Sequence, residues 1–159
     1  MSDELVGAVR AAVEATLREQ HAVLRDLVRD LPPAVLNWVP GPDMNSIAVL
    51  VGHLLDAERY LVAAALGDVV ERERERWFRY EAPSAAALLE LIDRTEAETS
   101  ERLARLTAEA LVREFSPPND RLGRCFTGMR WLLHAIQHNR EHLGQALLTR
   151  QLAQQRGIG

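Results

Sequence analysis

Apolar residues recur along most of this chain at intervals of three and four, the period of an α-helix that buries one face. In residues 3–30 the stripe is Val6, Val9, Val13, Leu17, Leu24, Val28 and Leu31, with His21 standing where a core leucine is expected. Ser2 or Asp3 can cap this first helix, and Pro32-Pro33 ends it. The segment 32–45 holds Trp38, Pro40, Gly41 and Pro42, a loop with one large anchor for the end of the core. A second helix starts near Asn45 or Ser46 and runs to Leu66, where Gly67 stops it. Its inner face reads Ser46, Val49, Leu50, His53, Ala57, Tyr60, Leu61 and Ala64, and Asp56 and Arg59 mark the opposite, solvated direction. A third helix spans 85–110 behind a Ser84 cap, with Leu88, Leu89, Ile92, Thr95, Leu103 and Leu106 inward. A fourth begins near Thr127 and continues to Gln154, ahead of a frayed tail.

The connections are polar. In 67–83 the Glu-Arg alternation supports a short solvated helix through opposite charges three or four apart, and Trp77, Phe78 and Tyr80 give it something to bury, as in a lid. The segment 111–126 is a loop centred on Pro117-Pro118-Asn119-Asp120. No internal repeat and no strand-like alternation is present. Four long helices with polar connections predict an all-α four-helix bundle, one domain over 1–159.

The fourth helix is apolar on two sides. With His138 as the zero of the wheel, Trp131, His134, His142 and Gln145 lie within about 40° of it. Met129, Leu132, Leu133, Ile136, Leu143 and Leu147 cluster opposite. A helix without a solvated side is central or lies at a subunit interface. Gly144, which costs about 1 kcal/mol against alanine in a helix, points to close approach of a neighbouring helix. A homodimer packed through the fourth helix is the expectation.

Bulk composition narrows the setting. The 159 residues are 47% hydrophobic and 26% charged, with a formal net charge of -4. No basic block runs along one face, which excludes electrostatic nucleic-acid binding. The single cysteine, Cys125, excludes an intrachain disulfide and a thiolate zinc site. It precedes the fourth helix with no visible base, the position of a packed or exposed thiol rather than a nucleophile. The acidic N-terminus lacks the layout of a signal peptide, and no apolar run approaches the ~18 residues of a membrane span. A cytoplasmic protein that does not engage membranes is expected.

The chemistry lies in the histidines. His134, His138 and His142 follow one another at four-residue steps and rise along one side of the helix. Adjacent members of such a ladder can share one metal ion. His53 sits alone on an apolar stripe of the second helix, where an unpartnered imidazole costs a few kcal/mol. A surface pair and a satisfied core histidine would explain these positions separately; His53, His138 and His142 converging on one layer favour a metal. Imidazoles without thiolates suit Zn²⁺, Ni²⁺, Fe²⁺, Co²⁺ or Cu²⁺ rather than Ca²⁺ or Mg²⁺. Three ligands leave a position open for water or a thiolate.

His134 is then a group that orients a ligand or lines the pocket, or a side chain packed one turn away, rather than a fourth ligand, since three ligands on one straight helix do not converge easily. His21 can reach the same layer from the first helix, though a core side chain with one hydrogen bond is the better reading. Asp56, Glu141 and Gln145 are candidates to orient ligand imidazoles, Glu141 being better read as solvated. Tyr60, two turns along from His53, either lines the pocket and donates a proton or packs with its hydroxyl outward. Trp131, on the histidine side of the fourth helix, is a pocket neighbour.

Trp38-Val-Pro40, then Asn45-Ser46-Ile47-Ala48 leading to His53, then His138-x-x-x-His142-x-Gly144-Gln145, resemble the DinB-like family of small helical metalloproteins over essentially the whole chain. The resemblance implies a four-helix bundle in a mirror variant of up-and-down topology, usually dimeric. It also implies one divalent metal, Zn, Ni or Fe, on three histidines that match His53, His138 and His142. Leu143 stands where the family often has arginine, a departure that leaves the ligands intact. Relatives in that family include mycothiol-dependent maleylpyruvate isomerase and bacillithiol transferases, in which the metal activates a low-molecular-weight thiol for attack on an electrophile. The resemblance therefore implies a thiol-dependent S-transferase or isomerase. A metal-dependent hydrolase, or a non-catalytic stress-response helical protein with a structural metal, are the alternatives. Tyr60 and His134 as proton shuttles rest on helix geometry alone.

The dimer expectation has a direct check. Light scattering at micromolar concentration should give twice the chain mass, and a monomeric mass would remove it.

Overall fold

Five helices of the computed structural model, which describes residues 2–159, begin at a serine or threonine whose hydroxyl accepts a backbone N–H three residues on. Each such cap contributes about 1 kcal/mol and sets where its helix starts. Ser2 opens α1 (Asp3–Val28), Ser46 opens α3 (Ile47–Leu66) and Ser84 opens α5 (Ala85–Ala104). Thr107 opens α6 (Ala108–Val112), and Thr127 opens α7 (Gly128–Gln155). Short α2 (Pro33–Leu36) and α4 (Arg74–Trp77) lie in the connections. The four long helices α1, α3, α5 and α7 form the bundle, and no helix among the described residues is long and apolar enough to cross a membrane.

Four features differ from the periodicity, the first being the helical turn α2 within the segment 32–45 expected as a loop. The helix expected over 85–110 is two helices, because α5 stops at Ala104 and Thr107 caps a new start. The loop expected over 111–126 closes with a two-residue antiparallel pair, Glu114 opposite Thr127 and Phe115 opposite Phe126, too short for alternation to reveal. The first helix ends at Val28 rather than 30.

The larger correction concerns which helix is central. Eighteen of the twenty residues of α3 are buried, so α3, rather than the fourth long helix, has no solvated side. It packs most extensively on α7 and then on α5, while α1 lies across α5 and α7. Asp56, expected to face water, is buried because the connection after α3 folds back over that face. Trp77 of α4 presses on the backbone of α3 at Gly52, where an added Cβ would collide with the indole. The sequence carries a signal for this burial: 47–66 contains only Asp56, Glu58 and Arg59 as charged residues, and a helix apolar on nearly all sides is a buried one.

Of the second apolar face expected on the fourth helix, Leu132 and Leu143 are buried within the chain, and Met129 and Ile136 are half-buried. Leu133, Leu147 and Leu148 are exposed. No neighbouring helix approaches Gly144 within the chain, where a Cβ would meet nothing.

The apolar interior divides into two clusters, one around Leu24, Leu54, Leu88 and Leu143 and one around Leu17, Leu61, Leu103 and Trp131. At their border each long helix contributes a polar side chain. Glu58 of α3, fully buried, accepts from Asn139 Nδ2 at 2.6 Å, Thr99 Oγ1 at 2.6 Å and His21 Nε2 at 2.8 Å. The other ring nitrogen of His21 faces Glu96 at 3.2 Å, which Arg25 also holds at 2.9 Å. His21 was expected to make one hydrogen bond; it makes two, both to carboxylates. Burial pulls its pKa down, but the Glu58 bond and the charges of Glu58 and Glu96 outweigh that, and the pKa rises above 6.5. An imidazolium is thus matched to a carboxylate at the centre of the bundle.

Glu58→Ala leaves three buried groups without their acceptor and should cost about 3–5 kcal/mol in urea unfolding. The pH dependence follows the raised pKa of His21. Its contribution is complete below pH 6.5 and is lost as pH rises through the folded-state value, so the native chain should weaken on that limb and the Glu58 variant should not.

Candidate metal centre and its cleft

Burial on all sides obliges every polar group on α3 to find a partner. Glu58 has His21, Thr99 and Asn139; Asp56 has Arg72 and the Glu73 N–H; Tyr60 donates to Asp120. His53 has no protein partner: its Nδ1 is buried and unbonded. What it has are two more histidines. The four-residue step on α7 brings the rings of His138 and His142 to 4.4 Å between centroids, and His53 lies 5.2 Å and 4.8 Å from them. One ring nitrogen from each of the three residues falls within 4.8 Å of the others.

The protonation of the triad is consistent with metal ligation. Burial first, then the neighbouring His142 and Arg72, pushes the pKa of His53 to about 3. Burial, His142 and His53 push His138 to about 3 as well. Both rings are therefore neutral near pH 7. Nδ1 of His138 is buried without a partner, like that of His53. His142 Nδ1 lies 2.8 Å from Gln145 Oε1. With the amide oxygen turned to the ring, Nδ1 carries the proton and Nε2 the lone pair. Three imidazoles that each turn one nitrogen toward a common point, with no other protein group supplying a proton there, fit a divalent metal of the nitrogen-preferring kind.

His53 and His138 open onto a cleft of about 830 Å³ between α3, α7, the connection before α4 and the loop 119–124. Phe78 backs His53 at 5.0 Å, so the connection expected to act as a lid forms one wall. The opposite wall is a chain of hydrogen bonds. Tyr60 donates to Asp120 at 3.0 Å, and Arg124 holds the same carboxylate at 2.6 Å through its side chain and 2.8 Å through its N–H. Arg124 also reaches His134 Nε2 at 3.0 Å. A guanidinium has no lone pair, so His134 accepts there and carries its proton on Nδ1. Burial, then Arg124 and Arg130, lowers the pKa of His134. Burial and the bond to Asp120 push Tyr60 to about 12. Burial would raise Asp120, but the Arg124 bonds and the Tyr60 hydroxyl bring it to about 2.

Several residues named from the sequence stand elsewhere. Asp56 touches none of the ligand imidazoles and orients Arg72 instead. Trp131 is fully buried, donates to Phe115 O at 3.1 Å and lies beneath the Arg124 guanidinium at 5.1 Å, outside the cleft. His21 belongs to the polar layer with Glu58. His134 lines the cleft but lies outside the triad. Glu141 and Cys125 are exposed. Asp120, Arg124 and Arg72 were not identified as site residues. They come from loops without periodicity; the only hint was an aspartate in a proline-asparagine turn, a type that accepts nearby backbone N–H groups, as Asp120 does.

The model of the DinB superfamily matches residues 16–146. Among solved structures, YfiT from Bacillus subtilis, described as a probable metal-dependent hydrolase with an unusual four-helix bundle topology, superposes with a TM-score of 0.72 at 16% identity, over 100% of this chain and 91% of that one. A DinB-like protein from Bacillus subtilis, YjoA, gives 0.67 at 21% identity, over 88% and 90%. A DinB family member from Exiguobacterium sibiricum gives 0.66 at 20%, over 96% and 93%. No curated protein matches the chain.

Two measurements probe the site. Metal content of gently purified protein, read by elemental analysis, should fall about tenfold or more in His53→Ala and His142→Ala, and Gln145→Leu should weaken affinity about 10–100-fold; full metal content in both histidine variants would sink the assignment. The depressed pKa of Asp120 contributes stability above pH 3.8 that is lost as pH falls through about 2. That component is about 2 kcal/mol and should vanish from the acid limb of unfolding in Asp120→Asn.

Proposed function

The chain belongs to the DinB superfamily, and from that premise we propose that it is a metal-dependent enzyme in which Zn²⁺, Ni²⁺ or Fe²⁺ on His53, His138 and His142 activates a low-molecular-weight thiol for transfer to an electrophile. The reading is carried by the open side of the triad. Three nitrogen donors gather beside a roomy cleft, and the two remaining histidines are committed elsewhere, His134 to Arg124 and His21 to Glu58 and Glu96. A shell lacking a fourth protein ligand is the arrangement of a catalytic rather than a structural centre. When bound, such a metal supplies positive charge that lowers the pKa of a ligated thiol or water.

The surrounding residues favour a thiol. Hydrolysis at a metal centre is commonly assisted by a free carboxylate or imidazole that takes a proton from water. The side chains here do not offer one. Asp120 is bound by Arg124 and Tyr60, His134 accepts from Arg124, and Glu73 is held by Arg76 at 2.7 Å. A thiol ionises near neutrality and needs no such base. The walls then position and exclude water: Phe78 shields His53, and the Tyr60–Asp120–Arg124–His134 chain keeps the far wall rigid. Hydrolysis is the second reading, supported by the description of YfiT.

The deciding assay is turnover of a generic arylating electrophile by metal-loaded protein with and without thiols. Thiol-dependent turnover should exceed the protein-free rate by about a hundredfold and fall to background in His53→Ala. Ester or amide cleavage that needs no thiol, with no thiol transfer, would select the hydrolase.

A further inference from the structure

The chain is acidic overall, with a net charge of -4, yet its cleft is basic. Five arginines line it, Arg72, Arg74, Arg76, Arg121 and Arg124, against Glu73, Glu75 and Asp120. Even with Asp56 beneath Arg72 counted, a positive charge remains. An imidazole binds a metal through a neutral ring, so a histidine triad would subtract nothing from the charge of a bound divalent ion. The carboxylates are also spent: Asp120 on Arg124, Glu73 on Arg76 and Glu75 on Arg74 at 3.3 Å.

Arg72 is paired on one side only. Its Nε donates to Asp56 at 3.2 Å, which anchors the side chain to α3. Its guanidinium carbon lies 5.7 Å from the centre of the Tyr60 ring, on the cleft wall. Its Nη2 is shielded from water and has no hydrogen-bond partner. A charged donor held in place by one carboxylate, with another nitrogen unfilled, is half of a charge-assisted fork. Arg74 stands beside it, its guanidinium 4.4 Å over Phe78, the ring that covers His53. Arg72 and Arg74 thus line the same cleft onto which His53 and His138 open.

We infer that the cleft takes a carboxylate-bearing ligand, with the carboxylate on Arg72 and the reacting end at the metal triad. The inference rests on the metal centre proposed above for the reacting end and on Arg72 for the other. The carboxylate belongs either to the thiol or to the electrophile that shares the cleft. Neutral and cationic molecules of the same size lack the group that completes Arg72 and meet a field of the wrong sign.

Cobalt(II)-loaded protein tests this without turnover, since a thiolate on cobalt gives a charge-transfer band. The probes are 3-mercaptopropionate, 2-mercaptoethanol and cysteamine, which carry a negative, a neutral and a positive end. Succinate against succinamide, followed by the cobalt d–d spectrum, is the thiol-free arm. Replacing Arg72 alone strands buried Asp56, so the variant is Asp56→Asn with Arg72→Gln, checked for retained cobalt. The expected result is binding of 3-mercaptopropionate about tenfold or more tighter than 2-mercaptoethanol, cysteamine weakest, and a preference reduced to within about twofold in the double variant. Equal binding of the thiols with Arg72-dependent preference for succinate over succinamide also sustains the inference and assigns the carboxylate to the electrophile. Absence of a thiolate band with cobalt bound removes the thiol reading, and the succinate arm still decides this one. If neither acid is preferred over its neutral analogue, or the preference survives in the double variant, the carboxylate inference is overturned.

Discussion

A helix with no solvated side cannot leave a polar group to water, and that constraint on α3 organises the molecule. Three of its four interior polar side chains draw other segments inward. Glu58 gathers α1, α5 and α7 through His21, Thr99 and Asn139. Asp56 ties down the connection before α4 through Arg72 and the Glu73 N–H. Tyr60 holds the loop before α7 through Asp120. His53 alone finds no protein partner and instead faces two further imidazoles. The same burial that makes an unpaired carboxylate costly makes a neutral imidazole a ready metal ligand, because desolvation disfavours its protonated form.

Stability and chemistry are thereby separated along one helix. The Glu58 layer lies between the two apolar clusters and is closed: its carboxylate accepts three hydrogen bonds and is fully buried. The His53 layer, little more than a turn away, is open to the cleft. Such a division keeps the groups that lock the bundle apart from those that face the cleft. It also keeps negative charge away from the metal triad. The two buried carboxylates nearest the cleft are both masked, Asp56 by Arg72 and Asp120 by Arg124.

The long helices were readable because each buries a stripe at helical period and starts at a capping hydroxyl. The His138–His142 step was readable because helix geometry alone converts a four-residue spacing into adjacent rings, and His53 because a polar residue on an apolar stripe demands a partner. Glu58 and Asp56 were not readable by face, since both lie off the apolar stripe of α3 and look solvated until the rest of the chain covers them. Arg72, Asp120 and Arg124 sit in aperiodic segments, whose course is set by what they pack on rather than by their own pattern. Gly144, read as a point of close helix approach, has no neighbour within the chain.

Local periodicity and capping chemistry therefore determined the helices, and the four-residue ladder determined which rings of α7 could act together. Only the tertiary structure decided that α3 is the central helix, that His134 belongs to Arg124 rather than to the triad, and that Arg72 lines the cleft onto which His53 and His138 open. The reason is physical: a helix reports its own phase through residues a turn apart, but which of its faces water reaches depends on segments far away in sequence that fold over it.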